Sequence, residues 1–281
     1  MTGQPSGLLN LARAAAGALP IVNRPDALPT RTVSVEGLGI DSANVAAYAS
    51  VTGLRFDNAV PLTYPFALTF PAMMALITGF DFPFAAMGSV HLENHITRYR
   101  PIAVTDVVDV DVHAENLREH RSGLLVDAVT DVRIGNDLAW HNVATFLHQQ
   151  RTSLSDEPKP EPKKQPKLPP PNAVLTITPA QIRQYASVGG DHNPIHTNSI
   201  GAKLFGFPTV IAHGMFSAAA VLANIEGQLP DEVSYSVRFG KPVVLPARAG
   251  LYVERTGANW ELALRHLSKG YPHLTATVTG K

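Results

Sequence analysis

The segments YASVTGLRF at residues 48–56 and YASVGGDHN at residues 185–193 begin with the same tetrapeptide at a spacing of 137 positions. Each copy has a glycine two positions after the tetrapeptide, Gly53 and Gly190. After this glycine the first copy reads LRF, which is mainly apolar, and the second reads DHN, which is polar. A repeat that diverges in this way predicts a duplicated fold in which only one copy kept its chemistry.

The secondary structure predicted around the two copies follows one order. A β-like run precedes each copy, at 31–37 and 173–180, and an apolar helix follows it, at 70–80 and 213–227. Runs with alternating polarity close each half, at 105–116, 123–134 and 142–149, and at 234–243, 248–256, 260–267 and 274–280. This order predicts an α+β fold with a helix packed against a curved antiparallel sheet in each half.

A proline-rich segment at 156–171, DEPKPEPKKQPKLPPP, separates the two halves. It contains seven prolines and no aromatic residue. Because proline fixes φ and has no N–H, the segment is expected to form neither a helix nor an inner strand. It predicts an extended linker between an N-terminal domain, 1–155, and a C-terminal domain, 172–281.

Composition excludes several classes of function. The 281 residues are 45% hydrophobic and 16% charged, which is typical of globular proteins, and 23 basic residues balance 23 acidic ones. Zero net charge gives no indication of a nucleic-acid partner, and the lack of cysteine excludes disulfides and thiolate chemistry. We expect a cytoplasmic protein with neither secretory signal nor membrane span, since the Ala-rich stretch 8–19 is shorter than the roughly 20 residues that a span needs.

The polar copy carries a pattern suited to acid–base chemistry. Asp191 and His196 flank a proline that forbids a continuous helix, so a tight bend can bring the carboxylate and the imidazole to one point. Such a pair around one water can move protons near neutral pH. GGDHNP is also typical of turns in which Asp and Asn only cap the backbone, so catalysis and a structural turn are both open here.

The segment AHGMFSAAAVL at 212–222 predicts an apolar helix that begins at Gly214. Free amides at the start of a helix stabilise an oxyanion. The alternative is that glycine and the following alanines only allow close packing against a sheet. The preceding residue, His213, is interpreted as a packing or loop residue.

Residues 185–202, followed by FGFPTVIAHGM at 205–215, resemble the signature of the MaoC-like dehydratases, the R-specific enoyl-CoA hydratases. The dense match covers about 175–225. The duplicated layout resembles the double-hotdog members, including actinobacterial 3-hydroxyacyl-thioester dehydratases. The resemblance implies two tandem hotdogs, each an antiparallel sheet wrapped around a central helix.

The resemblance also implies an activity and residue roles. Asp191 and His196 match the family's catalytic pair, Gly214 matches the glycine that binds the thioester carbonyl, and Asn193 supports the loop. The reaction is reversible hydration of a trans-2-enoyl thioester, with no metal or redox cofactor. The implied partner is acyl-CoA, or alternatively acyl carrier protein; a thioesterase, a non-catalytic hotdog partner subunit and a further homodimer stay open.

The first copy is expected to be silent. At the same offset, Leu54, Phe56 and Ala59 stand opposite the aspartate, the asparagine and the histidine. A pairing through a shared proline puts Pro71, which has no N–H, opposite Gly214. The N-terminal half would then provide core packing, with a minority of its apolar residues lining an acyl tunnel. The candidates are Tyr64, Phe66, Phe70, Met73, Met74, Phe80, Phe82 and Phe84.

Two histidine pairs at i, i+4 spacing, His91 with His95 and His192 with His196, are the other candidates for a metal. Neither pair lies in a clear helix with a third ligand nearby. We therefore expect no metal site.

Overall fold

The computed structural model describes residues 9–10, 12–14, 23–158 and 168–280. Its strands all belong to one antiparallel sheet. They are β1 (Val33–Gly39), β2 (Ser89–Arg98), β3 (Val107–His120), β4 (Gly123–Ile134), β5 (Asp137–Gln149), β6 (Ala173–Ile177), β7 (Val233–Phe239), β8 (Ala247–Thr256), β9 (Asn259–His266) and β10 (Pro272–Gly280).

Apart from the helical residues 9–10 and 12–14, the helices lie between the first and second strands of each half. They are α1 (Ser42–Thr52), α2 (Tyr64–Ile77), α3 (Pro179–Gly189), α4 (Pro194–Thr197), α5 (Ser199–Leu204) and α6 (Gly214–Leu222), followed by a 3₁₀ turn (Glu226–Gln228). No helix within the described ranges is long and apolar enough to cross a bilayer.

The sheet is symmetric about its centre. Its order is β1-β3-β4-β5-β2-β7-β10-β9-β8-β6, so each half contributes five neighbouring strands. Strands β2 and β7 pair antiparallel at the centre, from Glu93 opposite Arg238 to Arg98 opposite Val233. Helix α2 packs on β1, β3 and β4, and α6 packs on β9 and β10. The structure confirms the predicted double hotdog.

The two copies of YASV meet at the centre of the molecule. They lie on α1 and α3, which end at Gly53 and Gly190 with φ of 81° and 73°. Glycine adopts these left-handed angles at no steric cost, which explains why each copy keeps it. The buried rings of Tyr48 and Tyr185 lie 5.8 Å apart between centroids. The repeated segments therefore pack against each other.

Several elements differ from the sequence-based expectation. Strand β2 was not predicted, because a bulge between His91 and Glu93 breaks its alternation. Helix α2 begins at Tyr64 instead of residue 70, and helix α6 ends at Leu222 instead of residue 227.

The predicted linker, 156–171, is described only at its ends. Residues 156–158 and 168–171 form neither helix nor strand, and 159–167 lie outside the described residues. Most of the Ala-rich stretch 8–19 also lies outside them.

Candidate active site

Asp191 is placed by the end of helix α3. A capping box opens this helix, in which the Gln181 N–H donates to the Thr178 hydroxyl and the Thr178 N–H donates to the Gln181 side chain. Gly190 reverses the chain directly after the last turn. The carboxylate that follows is 29% exposed, so it lies at the surface of the core and is open to a ligand.

Asn193 connects Asp191 to the short helix that carries His196. Its backbone N–H donates to Asp191 Oδ1 at 3.1 Å, and its side-chain oxygen caps α4 by accepting from the Ile195 N–H at 3.3 Å. Pro194 occupies the first helical position, where no N–H is needed. Asn193 thus holds the carboxylate and starts the helix of the imidazole.

The acid and the base face each other across a gap. His196 Nε2 lies 4.0 Å from Asp191 Oδ2. The Nδ1–H of His196 donates to the Ile211 carbonyl at 2.9 Å, because a carbonyl oxygen can only accept. In the neutral ring, Nε2 therefore carries the lone pair. The gap is too long for a direct hydrogen bond, and a water or substrate oxygen can bridge it.

Gly214 is the first residue of α6, so its N–H has no acceptor within the helix. A Cβ at this position would lie 3.0–3.2 Å from three ring atoms of Phe239. A larger residue at position 214 would therefore require the Phe239 ring or the helix start to shift by a few tenths of an ångström. The free amide lies at the positive end of the helix dipole, where it can bind a developing negative charge.

His213 lies directly against both members of the pair. Its Nε2–H donates to the Asp191 backbone carbonyl at 2.9 Å, and its ring stacks on His196 with centroids 3.7 Å apart. Burial, with the neighbouring His196 imidazole, lowers the pKa of His213 to about 3, so the ring is neutral. The sequence analysis treated His213 as a packing or loop residue and did not predict these contacts. The spacing of residues along the chain gives no signal for them.

The donor set suits proton transfer better than a resident metal. Asp191, His196 and His213 each offer a potential ligand atom, all within 4.8 Å of one another. However, His213 Nε2 donates a proton to a carbonyl and so has no lone pair to offer. His91 and His95 cannot share an ion, since His91 packs among aromatic rings and His95 Nδ1 lies 2.6 Å from the Ser236 hydroxyl in an exposed contact.

Known proteins share this architecture. The model of the MaoC like domain matches residues 159–276. The 3-hydroxyacyl-thioester dehydratase X of Mycobacterium tuberculosis is 76% identical over 277 residues, which cover 99% of each chain. The chain belongs to the MaoC-like dehydratase family. A crystal structure of HtdX from the same organism has a TM-score of 0.82 at 74% identity, with 89% of this chain and all of that chain covered.

A second relative matches a part of this MaoC-like dehydratase. The (R)-specific enoyl-CoA hydratase of Rhodospirillum rubrum is 38% identical over 72 residues, which make up 24% of this chain and 50% of that protein.

The geometry corrects the predicted pairing of the two copies. Between the glycine that ends the first helix and the start of the next, the first copy has residues 54–63 and the second has residues 191–213, which include α4 and α5. Ala59 bridges to Ala103 as Ile211 bridges to Val244, so Ala59 corresponds to Ile211 and not to His196. The N-terminal copy therefore lacks α4 and α5, and with them a counterpart of His196.

The predicted pairing of Pro71 with Gly214 is also wrong. Pro71 lies inside α2, and the helix start that corresponds to Gly214 is Tyr64. The Tyr64 N–H already donates to the Pro61 carbonyl at 2.9 Å, and the next residue, Pro65, has no N–H. The first copy thus offers no free donor there, for a different reason from the one predicted.

The silent copy still reaches the catalytic loop through aromatic rings. His91 of β2 lies 5.6 Å from Phe66, 4.8 Å from Phe146 and 4.9 Å from Phe239 between ring centroids. A Cβ at Gly190 would lie 3.8 Å from the ring of Phe70. Burial lowers the pKa of His91 to about 4, so this ring is neutral as well. These rings form a largely apolar wall beside Asp191 and Gly214.

Proposed function

We propose that this protein catalyses the reversible hydration of trans-2-enoyl-CoA to (R)-3-hydroxyacyl-CoA in fatty acid metabolism. The observation that carries the proposal is the arrangement of Asp191 and His196 across a 4.0 Å gap beside the free amide of Gly214. The names of the two relatives support the same reaction class, and the R-specific hydratase supports the configuration.

The proposed mechanism needs a single water. Asp191 and His196 hold it in the gap, and His196 Nε2 takes its proton as the oxygen attacks C3. The protonated pair then delivers a proton to C2, so the net addition is one water and the enzyme returns to its starting state. The Gly214 N–H donates to the thioester oxygen, which becomes enolate-like after the attack.

The proposal includes no metal or redox cofactor. Addition of water across the alkene causes no net oxidation or reduction, and the three groups above supply the proton transfer and the charge stabilisation. We further propose a cytoplasmic location, which the absence of cysteine supports. Acyl carrier protein is the alternative carrier. The same assay with the enoyl group attached to acyl carrier protein instead of CoA tests this alternative.

The test is the loss of enoyl absorbance with crotonyl-CoA and dodecenoyl-CoA. We expect turnover by the wild type with an R-3-hydroxy product, and a loss of at least roughly 100-fold in Asp191→Asn and in His196→Ala. The exposed neighbour His192 provides a matched control, since His192→Ala changes the same loop without touching the pair.

Near-normal turnover by folded Asp191→Asn would contradict the assignment. Release of free thiol without loss of the enoyl band would instead indicate a thioesterase. Absence of both signals with CoA and carrier-protein substrates would indicate a non-catalytic partner subunit.

A further inference from the structure

One side chain touches all three parts of the proposed catalytic site. His213 occupies the position before helix α6, where its side chain makes no capping hydrogen bond, and it directly precedes Gly214, the proposed oxyanion donor. Its Nε2–H donates to the backbone carbonyl of Asp191 at 2.9 Å, and the same atom lies 3.8 Å from the carboxylate. Its ring stacks on His196, with centroids 3.7 Å apart and planes inclined by 29°.

The surroundings of His213 argue against a role in moving protons. The residue is 3% exposed, its other face contacts the Tyr185 ring at 5.0 Å, and its Nδ1 is buried with no partner among the described residues. The charged or titratable groups that face it are Asp191, His192 and His196. Burial holds its pKa near 3, so it neither accepts a proton in the working range nor repels a protonated His196.

The silent copy has a different residue at this position. Thr63 precedes the first residue of α2 as His213 precedes that of α6, and the Tyr48 hydroxyl donates to it at 3.0 Å. In the copy that lacks the acid and the base, no imidazole stands before the helix. The histidine therefore accompanies the chemistry within this one chain.

We propose that His213 is a positioning residue that fixes the Asp191 loop and the His196 ring against the start of helix α6. This inference rests on the proposed hydratase function. The hydrogen bond holds the main chain of the acid, and the stacked ring limits rotation of the base. The carboxylate and the imidazole then keep fixed positions relative to the Gly214 amide.

Two substitutions separate the hydrogen bond from the ring. His213→Phe keeps an aromatic ring on His196 and removes the donor. His213→Gln removes the ring and keeps an N–H donor at a similar reach. We expect kcat of His213→Phe to fall roughly 100-fold, because small displacements of catalytic groups have effects of that size, with a much smaller change in KM. His213→Gln should recover a large part of this loss.

A second measurement is independent of turnover. Hydrogen exchange of the backbone amides at 191–196, followed by mass spectrometry, should be faster in His213→Phe than in the wild type and close to wild type in His213→Gln. Thermal unfolding of each variant shows whether the fold is kept.

The outcomes distinguish the two proposals. Unchanged exchange at 191–196 in His213→Phe, or wild-type kcat in that variant, would overturn the positioning role. Equal losses in both variants together with lowered melting temperatures would overturn it as well, in favour of a purely structural role. If the wild type turns over no enoyl thioester while exchange still differs between the variants, the proposed function fails and the positioning role stands.

Discussion

At the start of helix α6, a single hydrogen in place of a methyl group keeps the proposed oxyanion donor accessible. In Gly214→Ala the new Cβ would lie about 3.0 Å from the Phe239 ring, so the ring or the helix start must move. We expect kcat to fall roughly 100-fold, because the variant keeps the N–H at position 214 but displaces it, and small displacements of catalytic groups have effects of that size. The enoyl absorbance assay measures it.

The companion variants for this prediction are chosen by the room around the substituted side chain. Gly39→Ala is the matched control, because a Cβ at that position meets no atom within 4 Å. Replacing the Phe239 ring with a smaller side chain in the double variant Gly214→Ala/Phe239→Leu should restore part of the activity. Full activity in Gly214→Ala alone would be inconsistent with the proposed role of this amide.

Two buried neutral histidines should make the protein sensitive to acid. The pKa values of His91 and His213 fall from 6.5 in the unfolded chain to about 4 and about 3 in the folded chain. Between these values and 6.5 the unfolded state binds more protons, so stability is fully present above pH 6.5 and is lost as pH falls. Each histidine should contribute about 1.4 kcal/mol of loss per pH unit in that range.

Urea unfolding at pH 7 and pH 5 tests this prediction. His91→Phe keeps the ring packing and removes the titrating group, so its free energy of unfolding should depend less on pH than that of the wild type. An identical pH dependence in the two proteins would show that His91 does not contribute.

The sequence predicted the residues of the loop better than their neighbours. Spacing singled out Asp191 and His196, and the expected helix start singled out Gly214, each with a structural alternative open; the family resemblance supplied their roles and added Asn193. The contacts of His213 and His91 depend on how α6 and β2 meet that loop. No local pattern encodes such a meeting, so the contacts of these two residues were found only in the folded chain.

At the scale of elements, helix α2 of the silent copy presents aromatic rings to the catalytic loop. We expect Phe70→Trp to lower kcat/KM for dodecenoyl-CoA while crotonyl-CoA is largely unaffected, because extra bulk should block only the longer acyl chain. Phe80→Trp, at a residue that is 51% exposed, is the control on the same segment. Equal effects on both chain lengths would argue against an acyl tunnel beside α2.

Strands that alternate were predicted closely and the irregular ones were not. The predicted run 123–134 coincides with β4. Strand β2 was not predicted, because its bulge interrupts the alternation of polar and apolar residues. The pairing through prolines failed because the catalytic copy holds two extra short helices, α4 and α5. An insertion of this kind shifts every later position, and a four-residue repeat cannot locate it.

At the scale of the whole molecule, the halves should stay together without the linker. Six residue pairs join β2 to β7, and α1 packs on α3. We expect that cleavage at a protease site inserted within 159–167 leaves both fragments in one peak on gel filtration, with hydratase activity retained. Separation of the fragments after cleavage would show that the central strand pair does not hold them.

The duplication was predicted from the sequence, and the manner of association was not. Repeated elements indicate two similar units, but the unit boundary between β2 and β7 involves a strand that the pattern did not reveal. The position of the catalytic loop against α2 follows from that pairing. The repeat alone therefore predicted two similar units, but it did not predict the aromatic wall that lies beside Asp191 and Gly214.

The extra segment 191–213 makes the two sides of the central strand pair unequal. In a dimer of identical hotdogs every substitution occurs twice, so a change that enlarges the acyl wall also alters the equivalent position beside the other active site. Here Phe70 occurs in the N-terminal copy alone, because the matching position of α6 is Ala220. Under the proposed function each chain holds one reaction centre, so substrate range can be engineered on the N-terminal copy while the Asp191–His196 pair is left intact.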